Sequence, residues 1–322
     1  MKRLFCTVVL LSLSIVAQSH TTTINNWTYN DATNQTHTTI WTVLKKDDLS
    51  AALHISPLLE PGARSNIVVA FPTPEGKTKD FRMYFSPVMP TSLAQKYPDI
   101  QTYTGIGLNN PSERVSVTTS NGGVKAMIMS SNGNIFIDQI RESTGTYRVS
   151  YYEDEKPITD HCPGCGSGDA IIVEPPYGAN VNRDDFPSCV GEAQPCYTIG
   201  DTLVTFRFAG ILTAEANNEF ADGTVAGGLA WMNALVNQIN LLWVRELSFR
   251  LELIEDSDLL IYTNETQTPW LFTEYDMYVE LPRVLDHLTD VIGPGGYDTP
   301  ASSLMWESVS YTHLTLPTNR EV

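Results

Sequence analysis

One long amphipathic helix that breaks abruptly into a strand sets the terms for this chain. From Asp222 onward the bulky apolar residues fall at Val225, Leu229, Met232, Val236, Ile239, Trp243 and Leu247, always three or four positions apart. That spacing lines one face of a helix. Asp222 is a candidate N-cap, its carboxylate able to accept a bond from a first-turn amide. Gly227 and Gly228 each weaken a helix by about 1 kcal/mol relative to alanine, so a close backbone approach is expected there. After the helix the period drops to two. Leu247, Phe249, Leu251 and Leu253 face one way while Ser248, Arg250 and Glu252 face the other, as in a half-buried strand. A second short strand is expected at Leu259–Tyr262, and Thr202–Ala214 reads as a strand ahead of the helix, ending in Glu215. Strand, helix, strand, strand is an α/β unit with a crossover helix.

The start of the chain has a basic head, Lys2 and Arg3, followed by an apolar run to Ala17. Ala17 and Ser19 form a small-x-small cleavage pattern, so residues 1–19 read as a secretory signal. The apolar run is too short to span a bilayer comfortably, and Cys6 lies at its start rather than its end, which argues against a lipoprotein. The expected product is secreted and extracellular, with no membrane contact after signal removal. The formal charge is −17, and loss of Lys2 and Arg3 makes the exported chain more acidic still. Nucleic acid is therefore not an expected partner.

Residues 20–155 read as strands and turns with little helix. Thr39–Leu44, Asn66–Phe71, Phe81–Phe85, Arg114–Thr118, Val124–Met129, Asn134–Asp138 and Tyr147–Tyr151 are strand-like, with Gly, Pro, Asn and Ser between them. An antiparallel sandwich or barrel is expected. Residues 156–200 are rich in Pro, Gly, Asp and Cys and have no periodicity, which is the pattern of a linker.

Two stretches then carry a family resemblance. Thr213–Phe220, Met232–Asn240, Leu247–Leu253 and Leu260–Thr263 are similar to the amino-terminal half of a reprolysin-like metzincin, a secreted zinc endopeptidase. Phe81–Met89, Lys96–Gly107 and Gly122–Met129 resemble the long propeptide of the bacterial members. The resemblance implies an α+β chain. A β-rich antiparallel propeptide (20–155) and the linker (156–200) would precede the N-terminal half of an α/β metzincin catalytic domain (201–298). It further implies zinc in the full-length parent, polarising the peptide carbonyl of a protein or peptide substrate while a glutamate acts as general base. An extended substrate would be held along a sheet edge by strand addition.

The ligands for such a zinc are not in this sequence. A metzincin needs H-E-x-x-H-x-x-G-x-x-H, and none of His20, His37, His54, His161, His287 and His313 begins that motif. No catalytic or metal-binding residue is therefore assigned, no metal is expected in this fragment, and the fragment is expected to be inactive. His287 sits between acids on what reads as a solvated helix face. Glu255, Asp256 and Asp258 form an acidic group that a turn explains more cheaply than calcium, and Ala209 stands where animal reprolysins place a calcium-ligating glutamate.

His161, Cys162 and Cys165 are the one cluster of metal-ligand residue types. Three readings stand. Cys162, Cys165, Cys189 and Cys196 are four candidates for two disulfides in an oxidising compartment. Cys165-Gly166 is similar to the Cys-Gly of a latency switch, in which a propeptide thiolate fills the open position of a catalytic zinc. A zinc knuckle is the third reading, but Cys189 and Cys196 are too far apart to be its second half.

Residues 299–322 depart from the family. Val309–Thr318 are what GTC TCT TAT ACA CAT CTG ACG CTG CCG ACG would encode, which resembles a translated sequencing adaptor. A tail of that origin is expected to drape on the surface without a specific groove, and the lack of the family's further strands and zinc helix is expected to leave Ile261 and Leu271 unusually exposed. The competing reading is a secreted β-sandwich binding or adhesion protein without catalysis, with Trp27, Trp41 and Tyr103 as stacking residues. Limited proteolysis followed by mass spectrometry should place the first cuts between Lys156 and Gly200. First cuts within Phe81 to Ile137 would overturn this division.

Overall fold

The computed structural model describes residues 22–32, 38–43, 46–130, 132–140, 145–151, 202–264, 266, 277–306 and 309–314. Alternating apolar residues build ten strands of one large sheet. These are β1 (Thr22–Ile24), β2 (Trp27–Ala32), β3 (Thr38–Val43), β4 (Ile67–Pro72), β5 (Thr78–Phe85), β6 (Gln101–Gly107), β7 (Arg114–Ser120), β8 (Gly123–Ser130), β9 (Gly133–Gln139) and β10 (Thr146–Tyr151). Their spatial order is β1-β4-β5-β6-β7-β8-β9-β10-β3-β2. All seven anticipated strands are present, and the pairing is antiparallel except where β1 runs parallel to β4.

The sheet is one curled layer. Trp27 of β2 lies 6.4 Å from Phe71 of β4 and 5.1 Å from Tyr147 of β10, ring centroid to centroid, so the two ends of the strand order face each other. Helix α1 (Lys46–His54) sends Leu49 and Leu53 into the same apolar interior, both fully buried. With the short helix α2 (Thr91–Lys96) it is the little helix that this strand-rich region holds among the described residues. Strand β6 escaped the reading of periodicity because Gly105 and Gly107 weaken its strand character. A Cβ at Gly105 would lie 2.4 Å from Val115 and 2.7 Å from Met83, so the packing requires glycine.

The second sheet is α/β, which makes the chain a mixed α+β fold. It contains β11 (Val204–Leu212), α3 (Ala214–Phe220), α4 (Val225–Glu246), β12 (Phe249–Leu253), α5 (Met277–Ile292), β13 (Thr299–Trp306) and β14 (Val309–Leu314). The order is β12-β11-β13-β14, with β11 parallel to both neighbours and β14 antiparallel to β13. Leu229, Met232 and Val236 of the anticipated stripe on α4 pack on Phe208, Leu212, Leu251 and Leu253.

Several expectations are corrected. The N-cap of α4 is Thr224, whose hydroxyl accepts from the Gly227 amide at 3.0 Å, while Asp222 holds the Thr224 amide and hydroxyl at 2.9 and 2.6 Å. Strand β11 stops at Leu212 because Thr213 caps α3 by accepting from the Ala216 amide. Leu259–Tyr262 is not a strand. A single 3₁₀ turn, Ser257–Leu260, is followed by one bridge between Ile261 and Leu212. Ile261 is 4% exposed, packed against the backbone of α4. Nor is the tail merely draped, since β14 pairs along β13 from Trp306↔Val309 to Ala301↔Leu314, and Thr299–Trp306 is itself strand. An open strand edge offers unpaired amides and carbonyls to any extended segment. The tail's place is nonetheless the sheet edge and not its centre. The signal at residues 1–19, the linker at 156–200 and Leu271 lie outside the described residues.

Three buried asparagines of α4 have structural partners. Asn233 donates to Leu229 O at 2.9 Å. Asn240 exchanges two bonds with the Leu251 backbone, at 2.8 and 2.7 Å. Asn237 donates to Tyr103 O at 3.3 Å and Val117 O at 3.1 Å, across to the large sheet.

Gly228 meets the expectation of close approach. A Cβ there would lie 2.4 Å from Ile261 Cγ2 and 2.9 Å from both Asn217 Oδ1 and Leu212 Cδ2. Overpacking of this kind costs about 1–3 kcal/mol, against about 1 kcal/mol gained in helix propensity. Gly228→Ala should therefore lower the urea midpoint with the m-value unchanged, and a raised midpoint would contradict this packing.

Candidate binding cleft

The N-terminal end of α4 opens onto a cleft of about 540 Å³ between the two sheets. Its walls come from the end of α2 and the segment that follows (Lys96 to Ile100), the β7–β8 turn (Ser120 to Gly123) and the first turns of α4. Phe220 closes α3 and Trp231 lies on α4, and their rings stack at 5.5 Å with a 17° interplanar angle. Both line the cleft, as does Tyr97.

The charged side chains at the cleft are each engaged by an ion pair or a hydrogen bond. Lys125 and Asp138 are 2.9 Å apart, and Asp99 accepts from Asn121 Nδ2 at 2.8 Å. Asp222 is engaged at the Thr224 cap. Lys96 donates to Asp258, which also accepts from Tyr97 Oη at 3.0 Å. Burial, then the bond to Asp258, pushes the Tyr97 phenol up, and that same carboxylate holds the Lys96 ammonium above its ordinary value. Aromatic faces, amides and charges already engaged by neighbours suit a neutral polar ligand better than an ion.

The residues singled out from sequence fall elsewhere. Trp27, Trp41 and Tyr103 are 6%, 3% and 1% exposed inside the curled sheet, which corrects their reading as stacking residues. Sequence gave no way to tell the inner face of that sheet from the outer one. Cys162, Cys165, Cys189, Cys196 and His161 lie outside the described residues. Ala209 is fully buried in β11. Asp256 precedes the 3₁₀ turn and Asp258 lies within it, turned toward Lys96. His287 is not on a solvated face: it is half-buried, with Nε2 against the Tyr262 hydroxyl.

The described residues do not fit a catalytic zinc. Among them no three His, Cys, Asp or Glu side chains come together. His54, the last residue of α1, has Nδ1 3.1 Å from Gln101 Oε1, while His287 lies on α5 against Tyr262. No described helix is long and apolar enough to cross a membrane. Phe220 and Trp231 went unremarked in the sequence, although Trp231 is a large aromatic just off the apolar stripe of α4, and that was the available signal. The chain matches no protein-family profile, no curated protein and no solved structure.

Burial lowers the His287 pKa, opposed by nearby Asp290. The folded state then binds fewer protons than the unfolded chain over the interval from the ordinary value of 6.5 down to the depressed one. Stability should fall as pH drops through that interval and level off below it. His287→Gln should flatten the slope in urea melts taken across it, and an unchanged slope would show that another group is responsible.

Proposed function

We propose that this chain is the amino-terminal part of the precursor of a secreted reprolysin-like zinc endopeptidase. Residues 20–155 would be its β-rich propeptide, and residues 201–298 would belong to its catalytic domain. The observation that carries this reading is the parallel unit β11–α4–β12 with β13 added on the far side of β11. That is the crossover arrangement which the resemblance of Thr213–Phe220, Met232–Asn240 and Leu247–Leu253 leads one to expect. The β-rich unit ahead of it, with the propeptide-like stretches on β5, β6 and β8, supports the same reading. Zinc and the general base would belong to the full-length parent, acting on protein or peptide substrates. No hydrolytic step is assigned to the residues of this chain, since H-E-x-x-H is absent from it.

Reading the genomic DNA past the codon for Asp298 tests the proposal. An in-frame H-E-x-x-H downstream is the expected result, and a stop codon or an unrelated frame would overturn it.

The cleft favours a second reading, a secreted binding protein without catalysis that takes a neutral carbohydrate. Trp231 and Phe220 would supply the apolar faces and Asn121 the hydrogen bonds. Under this reading, neutral oligosaccharides change the tryptophan fluorescence of the wild type and not of Trp231→Leu. A wild type indifferent to them would dismiss it.

A further inference from the structure

The contact between the two sheets has the character of a protein interior. Val88, Met89, Leu93 and Ile100, from the segments between β5 and β6, are at most 6% exposed. They sit in one cluster with Leu229, Met232 and Val236 of α4 and with Leu251 and Leu253 of β12. Further along the helix, Leu241 packs on Met127 and Met129 of β8.

Polar contacts at the same surface are directional and largely made to backbone. Leu253 N donates to Val88 O at 2.9 Å, a strand-type bond that occupies the outer edge of β12. Arg250 donates to Pro87 O on the same edge. Buried Asn237 bonds carbonyls of β6 and β7, and Asp258, 8% exposed, accepts from Lys96 and Tyr97. Taking the sheets apart would expose the apolar cluster and leave Asn237 and Asp258 to be resolvated.

The connection between the units leaves and returns at one end of this contact. Tyr151 pairs with Ile135, near the β8–β9 turn that follows Met129. Val204 N bonds Ser248 O just past the end of α4. Leu241 and Arg245 of α4 approach Met129, so both flanks of residues 152–201 lie at the C-terminal end of α4. Cutting this connection turns an intramolecular contact into a bimolecular one, so the interface alone must then supply the affinity.

We infer that the large sheet is a permanent partner of the α/β unit. Cutting the connection yields two pieces that remain one non-covalent complex. This differs from a propeptide that leaves once it is cut, and it holds whether or not the peptidase reading does.

The test uses the whole chain with a recognition sequence for a site-specific protease inserted after Gly178. The protein is cut and run on size exclusion under reducing conditions, so that no disulfide joins the pieces. Co-elution at the mass of the uncut chain, persisting on dilution to nanomolar concentration, is the expected result. Pieces that separate without denaturant would overturn the inference and leave the DNA test of the peptidase reading untouched. In the cut protein, Asn237→Asp should lower the urea concentration at which the pieces part, while Lys125→Ala should not. An Asn237→Asp complex as tight as the wild type would overturn the interface assigned here.

Discussion

Helix α4 is covered on two sides, and the rest of the structure is arranged to allow that. One side lies on the parallel strands of its own unit, through Leu229, Met232 and Val236. The other meets the outside of the large sheet, where Asn237 and Leu241 approach β6, β7 and β8. Each apolar side chain removed from water contributes about 1.5–3 kcal/mol. An amide buried without a partner costs about 1–3 kcal/mol, so the asparagines on this helix are tolerable only because their amides reach backbone acceptors. Asn240 goes further by bonding both the amide and the carbonyl of Leu251, which fixes the register between helix and strand.

The curl of the large sheet follows from its inner face. Trp27, Phe71, Phe81, Tyr103 and Tyr147 fill the concave side, together with Leu49 and Leu53 of α1. On the convex side, β7 carries Ser116 and Thr118, which are buried although polar. Small side chains at those positions let α4 come close enough for Asn237 to reach the main chain. The cleft forms where the two surfaces diverge beyond that contact, at the capped end of the helix.

Short apolar runs bounded by turn residues were enough to locate seven strands of the large sheet, including β4 and β7, which bury both faces. The helix stripe likewise located α4 and the strand after it. Leu259–Tyr262 misled for a physical reason. Four apolar residues in a row satisfy a strand pattern equally well as a turn that buries Leu260 and Ile261 and leaves Leu259 half in water. Trp27, Trp41 and Tyr103 misled because alternation gives the face of a residue relative to its neighbours, but not which face turns inward. The cleft was illegible since its residues come from α2, the β7–β8 turn, α3 and α4, elements brought together only by the contact between the sheets. The asparagines of Met232–Asn240 were visible as a pattern, whereas their partners on Leu251, Tyr103 and Val117 depended on the tertiary structure.

Asn237 recognises carbonyl groups, which every residue on a strand possesses, and not the side chains of β6 and β7. Over evolutionary time the two sides of the contact are therefore under unequal constraint. Strand sequences at this surface can drift as long as they stay small and keep their pleat, while the helix position has few substitutes that carry an amide of the same reach. Diverged descendants of such a chain would keep the asparagine and vary the strands opposite it, and an exchange of large sheets between distant relatives would be more permissive than an exchange of helices.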